Sequence, residues 1–119
     1  LWATLAEQGL LGITIPEEFG GTGLGFTELC LMLEEQGRRI SPIPLYSNLV
    51  LGVLPIAEFG SDEQKAKYLT PLATGELKLT AAIAELGIAD AAAGQITAVQ
   101  KGDSWVLSGT LACVPDSPV

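Results

Sequence analysis

Between Ile13 and Leu24 an apolar run is broken first by Pro16, then by the pair Glu17 and Glu18, then by Gly20, Gly21 and Gly23, with Gly25 just beyond. Glycine reaches positive φ without steric cost, so such a cluster marks backbone that turns sharply or is closely approached by other chain. Apolar residues at helical spacing precede it (Leu1, Leu5), and others follow it (Phe26, Leu29, Cys30, Leu33). The segment therefore reads as a shaped connection between two helices, in its plainest form a tight surface loop. A phosphate cradle is a poor reading: no strand precedes the glycines, and the GxGxxG and Walker spacings with their lysine are absent.

The rest of the composition narrows the function classes. With 119 residues the chain can make one small domain with a modest core. Its net charge of −8 and lack of histidine remove a histidine base and a histidine metal site, and leave no basic face for nucleic acid or an anionic membrane. No apolar run reaches the ~20 residues of a membrane span; the longest, residues 49–57, carries Gly52 and Pro55. Cys30 and Cys113 stand far apart, which suits buried thiols in a reducing compartment better than a disulfide or a metal site.

Hydrophobic spacing and breakers predict the element order. A first helix over about residues 1–8 stops at Gly9, the usual αL position after a helix. Residues 10–15 are predicted extended and packed on the core. A second helix spans about residues 26–38, with Leu29, Leu31, Met32 and Leu33 on a broad apolar stripe and Arg38 and Arg39 complementing the dipole of the last turn. Pro42 and Pro44 enforce an extended link. A third, very apolar helix over residues 45–59 reads as a buried central element that Pro55 kinks or divides. Ser61 and Gln64 then spell a capping box for a short helix ending near Leu69, before Pro71. From residue 77 the pattern changes: residues 77–83 read as a strand, and residues 96–100 and 105–107 flank a hairpin turn at Lys101-Gly-Asp-Ser104.

Sequence blocks in the same order resemble the acyl-CoA dehydrogenase family. Residues 2–13 (WATLAEQGLLGI) followed by residues 16–24 (PEEFGGTGL) look like its amino-terminal helical domain. Residues 59–69 (FGSDEQKAKYL) with residues 71–76 (PLATGE) are similar to a later helix, and residues 98–110 (AVQKGDSWVLSGT) to the hairpin that opens its middle β-domain. The resemblance implies an α+β fold: a mainly helical amino-terminal domain over residues 1–76, then the opening strands of a β-domain over residues 77–119, together a fragment of a larger subunit. It also implies α,β-dehydrogenation of acyl-CoA thioesters with FAD, in a homo- or hetero-oligomer. The expected location is the cytoplasm, or the mitochondrial matrix in a eukaryote.

By that resemblance, flavin contacts fall in two segments. In the first, residues 82–90 (AIAELGIAD), Ile83 and Ala84 offer backbone groups to the flavin edge, and Ala84 and Ala89 stand where the family has hydroxyls. In the second, after Thr110, Cys113 replaces an aromatic residue and Pro115 a hydroxyl residue. The expected cofactor-binding set is therefore Ile83, Ala84, Ala89, Cys113 and Pro115. No metal ligand is expected, and no catalytic residue, because the family's glutamate base lies in a later helical bundle. Glu17 and Glu18 read as a solvated turn. The framework positions match the family while the contact positions depart from it. This leaves a flavoenzyme with an unusual flavin edge, a non-catalytic subunit kept for assembly, and a stand-alone helical binding module as the readings to separate.

Overall fold

In the computed structural model, which describes residues 1–83, 96–110 and 114–116, the chain leaves helix α1 (Trp2–Glu7) through Gly9, at φ +72°. That left-handed step is what the sequence predicted for this glycine. Residues 10–15 then depart from the expected extended run. Leu10–Gly12 forms a 3₁₀ turn, and the amides of Gly12 and Ile15 donate to the carbonyls of Gly9 and Gly12 at 3.2 and 3.0 Å. Reversal at Gly9 makes these local bonds geometrically available, and they replace an extended path while keeping Leu11, Ile13 and Ile15 buried.

The glycine-rich segment folds back on this turn. After a 3₁₀ turn at Glu17–Phe19, the amides of Thr22, Gly23 and Leu24 donate to the carbonyls of Gly12, Ile15 and Ile13 at 2.9, 2.9 and 2.8 Å. Gly21 passes so close that a Cβ there would sit 2.0 Å from the Ile15 carbonyl oxygen. Only glycine fits at such a crossing.

Helix α2 (Phe26–Arg39) begins where the Gly25 amide donates to the Glu28 carboxylate at 2.9 Å, half of a capping box since glycine has no side chain to reciprocate. Its buried side is narrower than the sequence suggests. Leu29 is fully buried and Met32 and Leu33 partly so, but Leu31 is 58% exposed. Cys30 points to solvent too, which corrects its reading as a buried thiol: it lies one position off the Leu29 stripe. Arg38 pairs with Glu34 and Glu35 at 2.8 and 3.2 Å, but all three side chains are 62% exposed, where ion pairs contribute little. The helix ends in a Schellman pattern, with the Ser41 amide on the Gln36 carbonyl and the Ile40 amide on that of Gly37, both at 3.1 Å.

The apolar stretch 45–59 is divided, as Pro55 suggested, and its first half is unusual. Tyr46–Val53 winds as a π-helix and Leu54–Phe59, α3, as an α-helix with Pro55 in its first turn. Proline has no N–H for the ladder, so the change of winding falls beside it. Ser47 to Gly52 largely faces the core, yet Phe59 is 86% exposed, so burial fades along α3. Helix α4 (Asp62–Ala73) starts with the predicted capping box: Ser61 Oγ accepts from the Gln64 amide at 3.2 Å, and the Gln64 side chain accepts from the Ser61 amide at 2.9 Å. It runs on past Leu69, because Pro71 costs one ladder bond and its carbonyl is reused. The Glu76 and Leu77 amides and the Thr74 hydroxyl all donate to that oxygen, at 2.9, 3.1 and 3.1 Å. Gly75, at φ +80°, closes this second Schellman turn, and its carbonyl accepts from Trp2 Nε1 at 3.0 Å, tying the end of α4 to α1.

These elements make one compact unit, residues Leu1–Thr80, with a core of Leu11, Ile15, Leu29, Leu49, Val53, Leu69 and Leu72. The second unit, Ala81–Val119, contains the expected hairpin. Strands β1 (Ile96–Lys101) and β2 (Ser104–Gly109) pair antiparallel from Ile96↔Gly109 to Lys101↔Ser104, around a two-residue turn that opens on Gly102 at φ +61°. The segment 77–83 is not a strand of any ladder among the described residues; Leu79 within it bonds to a side chain of the first unit instead.

Ile40 generates a prediction. It is a β-branched residue at φ +50°, 89% exposed, in a position that favours glycine. Replacing it with glycine relieves that backbone strain without loss of core packing. Ile40→Gly is expected to raise the stability of the helical unit by about 1 kcal/mol in urea denaturation. A loss of stability would show that the exposed side chain has a contact that outweighs the strain.

Candidate functional site

The π-helix carries a polar residue into the core. Asn48 is fully buried, and its amide nitrogen donates to the Pro44 carbonyl at 2.9 Å and, more weakly, to Ser47 Oγ at 3.4 Å. Its Oδ1 accepts from the Leu79 amide at 2.7 Å, a contact that spans 31 residues of sequence. One turn on, Gly52 leaves a hollow that Leu79 occupies: a Cβ at residue 52 would lie 2.5 Å from Leu79 Cβ. A buried amide is costly unless its groups are paired, and here both ends of the side chain are engaged. The seat fixes residue 79 where no sheet ladder does.

Four residues further along the chain stands Ile83, the first of the expected flavin contacts. It is 37% exposed and makes no hydrogen bond to another described residue, so its N–H and C=O are open to a partner. Pro115 lies in an exposed turn, with neither an N–H nor a hydroxyl to offer. Ala84, Ala89 and Cys113 fall outside the described residues. For the flavin that the resemblance implies, the described positions thus divide: the Ile83 backbone fits a hydrogen-bonding edge, and Pro115 does not.

In the helical unit, two grooves of about 540 and 280 Å³ flank the carboxy-terminal half of α2 and are walled mainly by apolar side chains, with Glu35 and Arg39 on the rim of the smaller one. Glu17 and Glu18 are exposed, as a solvated turn requires. Among the described residues no cluster of His, Cys, Asp or Glu is arranged to hold a metal ion, and no helix is long and apolar enough to cross a membrane. Sequence reasoning missed Asn48 and Gly52. The available signal was an amide in the middle of an apolar run, followed one helical turn later by glycine.

Comparison with known proteins gives a consistent result. The family model described as acyl-CoA dehydrogenase, N-terminal domain, matches residues 1–76. A short-chain specific acyl-CoA dehydrogenase, mitochondrial, of Rattus norvegicus is 38% identical over 95% of this chain, which covers 28% of that relative. The chain thus spans less than a third of the length of this curated relative. Among solved structures, the steroid ACAD Tcur3481-Tcur3483 (a G363A variant) is 50% identical with a TM-score of 0.84, covering 96% of this chain and 31% of its own. An acyl-CoA dehydrogenase of Bacillus anthracis complexed with FAD is 37% identical with a TM-score of 0.75, covering 91% of this chain and 20% of its own.

Thr80 supplies a test of the seat's boundary. Its hydroxyl oxygen is buried with no hydrogen-bond partner, one residue after Leu79. Thr80→Val keeps the shape and removes an unsatisfied polar group, so it is expected to stabilise the fold by about 1 kcal/mol. A loss of 1 kcal/mol or more in chemical denaturation, on the order of one net hydrogen bond, would mean that the hydroxyl is bonded in solution.

Proposed function

Because the chain belongs to the acyl-CoA dehydrogenase family, we propose that it is the amino-terminal part of a flavoprotein that oxidises the Cα–Cβ bond of acyl-CoA thioesters. The single observation that carries this reading is the match of residues 1–76 to the family's amino-terminal domain, followed by the hairpin 96–109 in the expected order. In the proposed reaction a carboxylate outside these residues takes the α-proton, and the β-hydrogen leaves with its electron pair as the double bond forms. Acceptance of that hydride is the chemistry FAD supplies when bound. The part of residues 1–119 is to build the amino-terminal wall and to present backbone groups at Ile83 and Ala84.

The greater identity to a steroid ACAD than to a short-chain enzyme, 50% against 38%, directs the substrate proposal toward a bulky, steroid-bearing acyl group. Under this reading the parent acts in the mitochondrial matrix if eukaryotic, a proposal that the likeness to a mitochondrial relative supports, and otherwise in the cytoplasm.

A second reading is favoured by the residues at the expected flavin positions. Ala84, Ala89 and Pro115 lack hydroxyls and Cys113 lacks an aromatic face. Each lost hydrogen bond forfeits roughly 0.5–1.5 kcal/mol, and a lost stacking surface a comparable amount. In this reading the chain belongs to a non-catalytic subunit of a hetero-oligomer, and the flavin is held by other chains.

Titration of the intact protein with FAD, alone and with candidate partner chains, separates the two. This chain's own contribution is expected to be weak. Ala84→Thr, Cys113→Trp and Pro115→Thr combined should tighten FAD binding by at least about tenfold, the equivalent of one restored hydrogen bond. Tight stoichiometric FAD in the unmodified protein, with no gain in the triple variant, would show that the substitutions do not weaken the site. No FAD under any condition would leave the non-catalytic reading.

A further inference from the structure

We propose that a second, exposed stripe of helix α2 is the docking seam for a helix from the rest of the parent subunit, outside these 119 residues. The stripe is Phe26, Cys30, Leu33, Gly37 and Ile40, at steps of four, three, four and three residues. An average step of about 3.5 is the spacing at which one helix presents a continuous seam to another. The seam runs beside the core stripe set by Leu29. Phe26 is 61% exposed and Cys30 is exposed, Leu33 is partly buried against the core, and Ile40 is 89% exposed. Leu33, Gly37 and Ile40 also border the groove of about 540 Å³, together with Pro42 and Tyr46.

Two residues of this seam break local rules at the same place. Gly37 stands in the last turn of α2, where alanine would hold the helix better. Outside its own helical backbone and chain neighbours, a Cβ there would meet no atom within 4 Å among the described residues, so nothing described in the helical unit requires the missing side chain. Ile40 keeps a left-handed conformation at φ +50° that glycine adopts at less cost. Departures of this kind mark functional positions. One event accounts for both: the backbone of a docked helix comes close over Gly37, and the Ile40 side chain is covered by it. Length and charge select the occupant. This chain covers 28% of its rat relative and 31% of the steroid ACAD structure, so by their length the greater part of the parent subunit lies outside these residues and can supply the helix. A second copy of α2 fits less well. Antiparallel pairing about Leu33 would set Glu34 of one copy beside Glu34 of the other, and like charges facing across an interface oppose association. The docked helix is therefore apolar along its contact and neutral or basic at the Glu34 edge. The inference rests on the chain being part of a longer subunit, and not on FAD.

The test uses the intact parent protein and reads thiol labelling and melting temperature. Maleimide labelling with peptide mapping gives the rate at Cys30, and Glu35→Cys, on the opposite side of α2 with its side chain 62% exposed, gives the rate of an open position. Cys30 is expected to label at least about tenfold more slowly than residue 35, because its thiol is reached only when the seam opens. The difference should persist when the protein is diluted to single subunits. Gly37→Ala raises the melting temperature if the groove is open to solvent, since alanine favours the helix. Under a docked helix it is expected to lower it by about 2 °C or more. Ile40→Gly, a gain for the helical unit alone, should likewise lower it in the intact subunit. If Gly37→Ala does not fold, the labelling decides alone. Cys30 labelling as fast as residue 35 overturns the inference, and so does a melting temperature that is unchanged or raised in Gly37→Ala. Slow labelling that becomes fast on dilution overturns it as well, because the cover is then another chain. None of these outcomes bears on FAD uptake, so the flavoprotein reading stands or falls by its own titration.

Discussion

The backbone of Gly21 runs against the backbone of Ile15 with no room for a side chain between them, and the helical unit is organised around that crossing. Because residue 21 can come so close, the amides of Thr22, Gly23 and Leu24 reach the carbonyls of Gly12, Ile15 and Ile13. The apolar side chains between those carbonyls, Leu11, Ile13 and Ile15, are then turned inward and buried. Each such side chain contributes roughly 1.5–3 kcal/mol on burial, so three of them matter to a domain of marginal stability. What reads in sequence as a tight surface loop is a hydrogen-bonded part of the core wall.

The same economy of contacts extends to the far end of the unit. Gly75 closes α4 and accepts the Trp2 indole, so the first and last helices are joined by one hydrogen bond and a left-handed glycine. Lys78 stacks its ammonium over the Trp2 ring, 5.2 Å from the centroid, immediately before Leu79 enters its seat. Trp2, Gly75, Lys78, Leu79 and Asn48 therefore fix successive points of the path by which the chain leaves the helical unit.

Much of this was legible because local chemistry decided it. Ser61 and Gln64 spelled a capping box, Gly9 a helix end and Gly102-Asp103 a hairpin turn, and each formed as spelled. The misreadings arose where hydrogen bonds or packing outside the pattern of residue types chose among local options. Pro71 did not end α4, since its carbonyl gained partners beyond the helix. Residues 77–83 looked like a strand by alternation, but among the described residues they join no ladder, and Leu79 bonds to Asn48. Cys30 looked apolar by type and lies outside the narrow stripe set by Leu29. The π winding has no local signature that separates it from an α-helix with a proline. At the candidate site the family was readable from ordered blocks of sequence. The contact between Asn48 and Leu79 was not, because the two residues are 31 apart in sequence.

Native-state hydrogen exchange of the intact protein tests the central claim, that the glycine-rich segment and the Leu79 seat are rigid parts of the core. The amides of Thr22, Gly23, Leu24 and Leu79 are predicted to exchange as slowly as those of the buried turns of α2 and α4, through the same cooperative opening. Exchange of these amides at the rate of exposed loops, while α2 and α4 stay protected, would contradict the account.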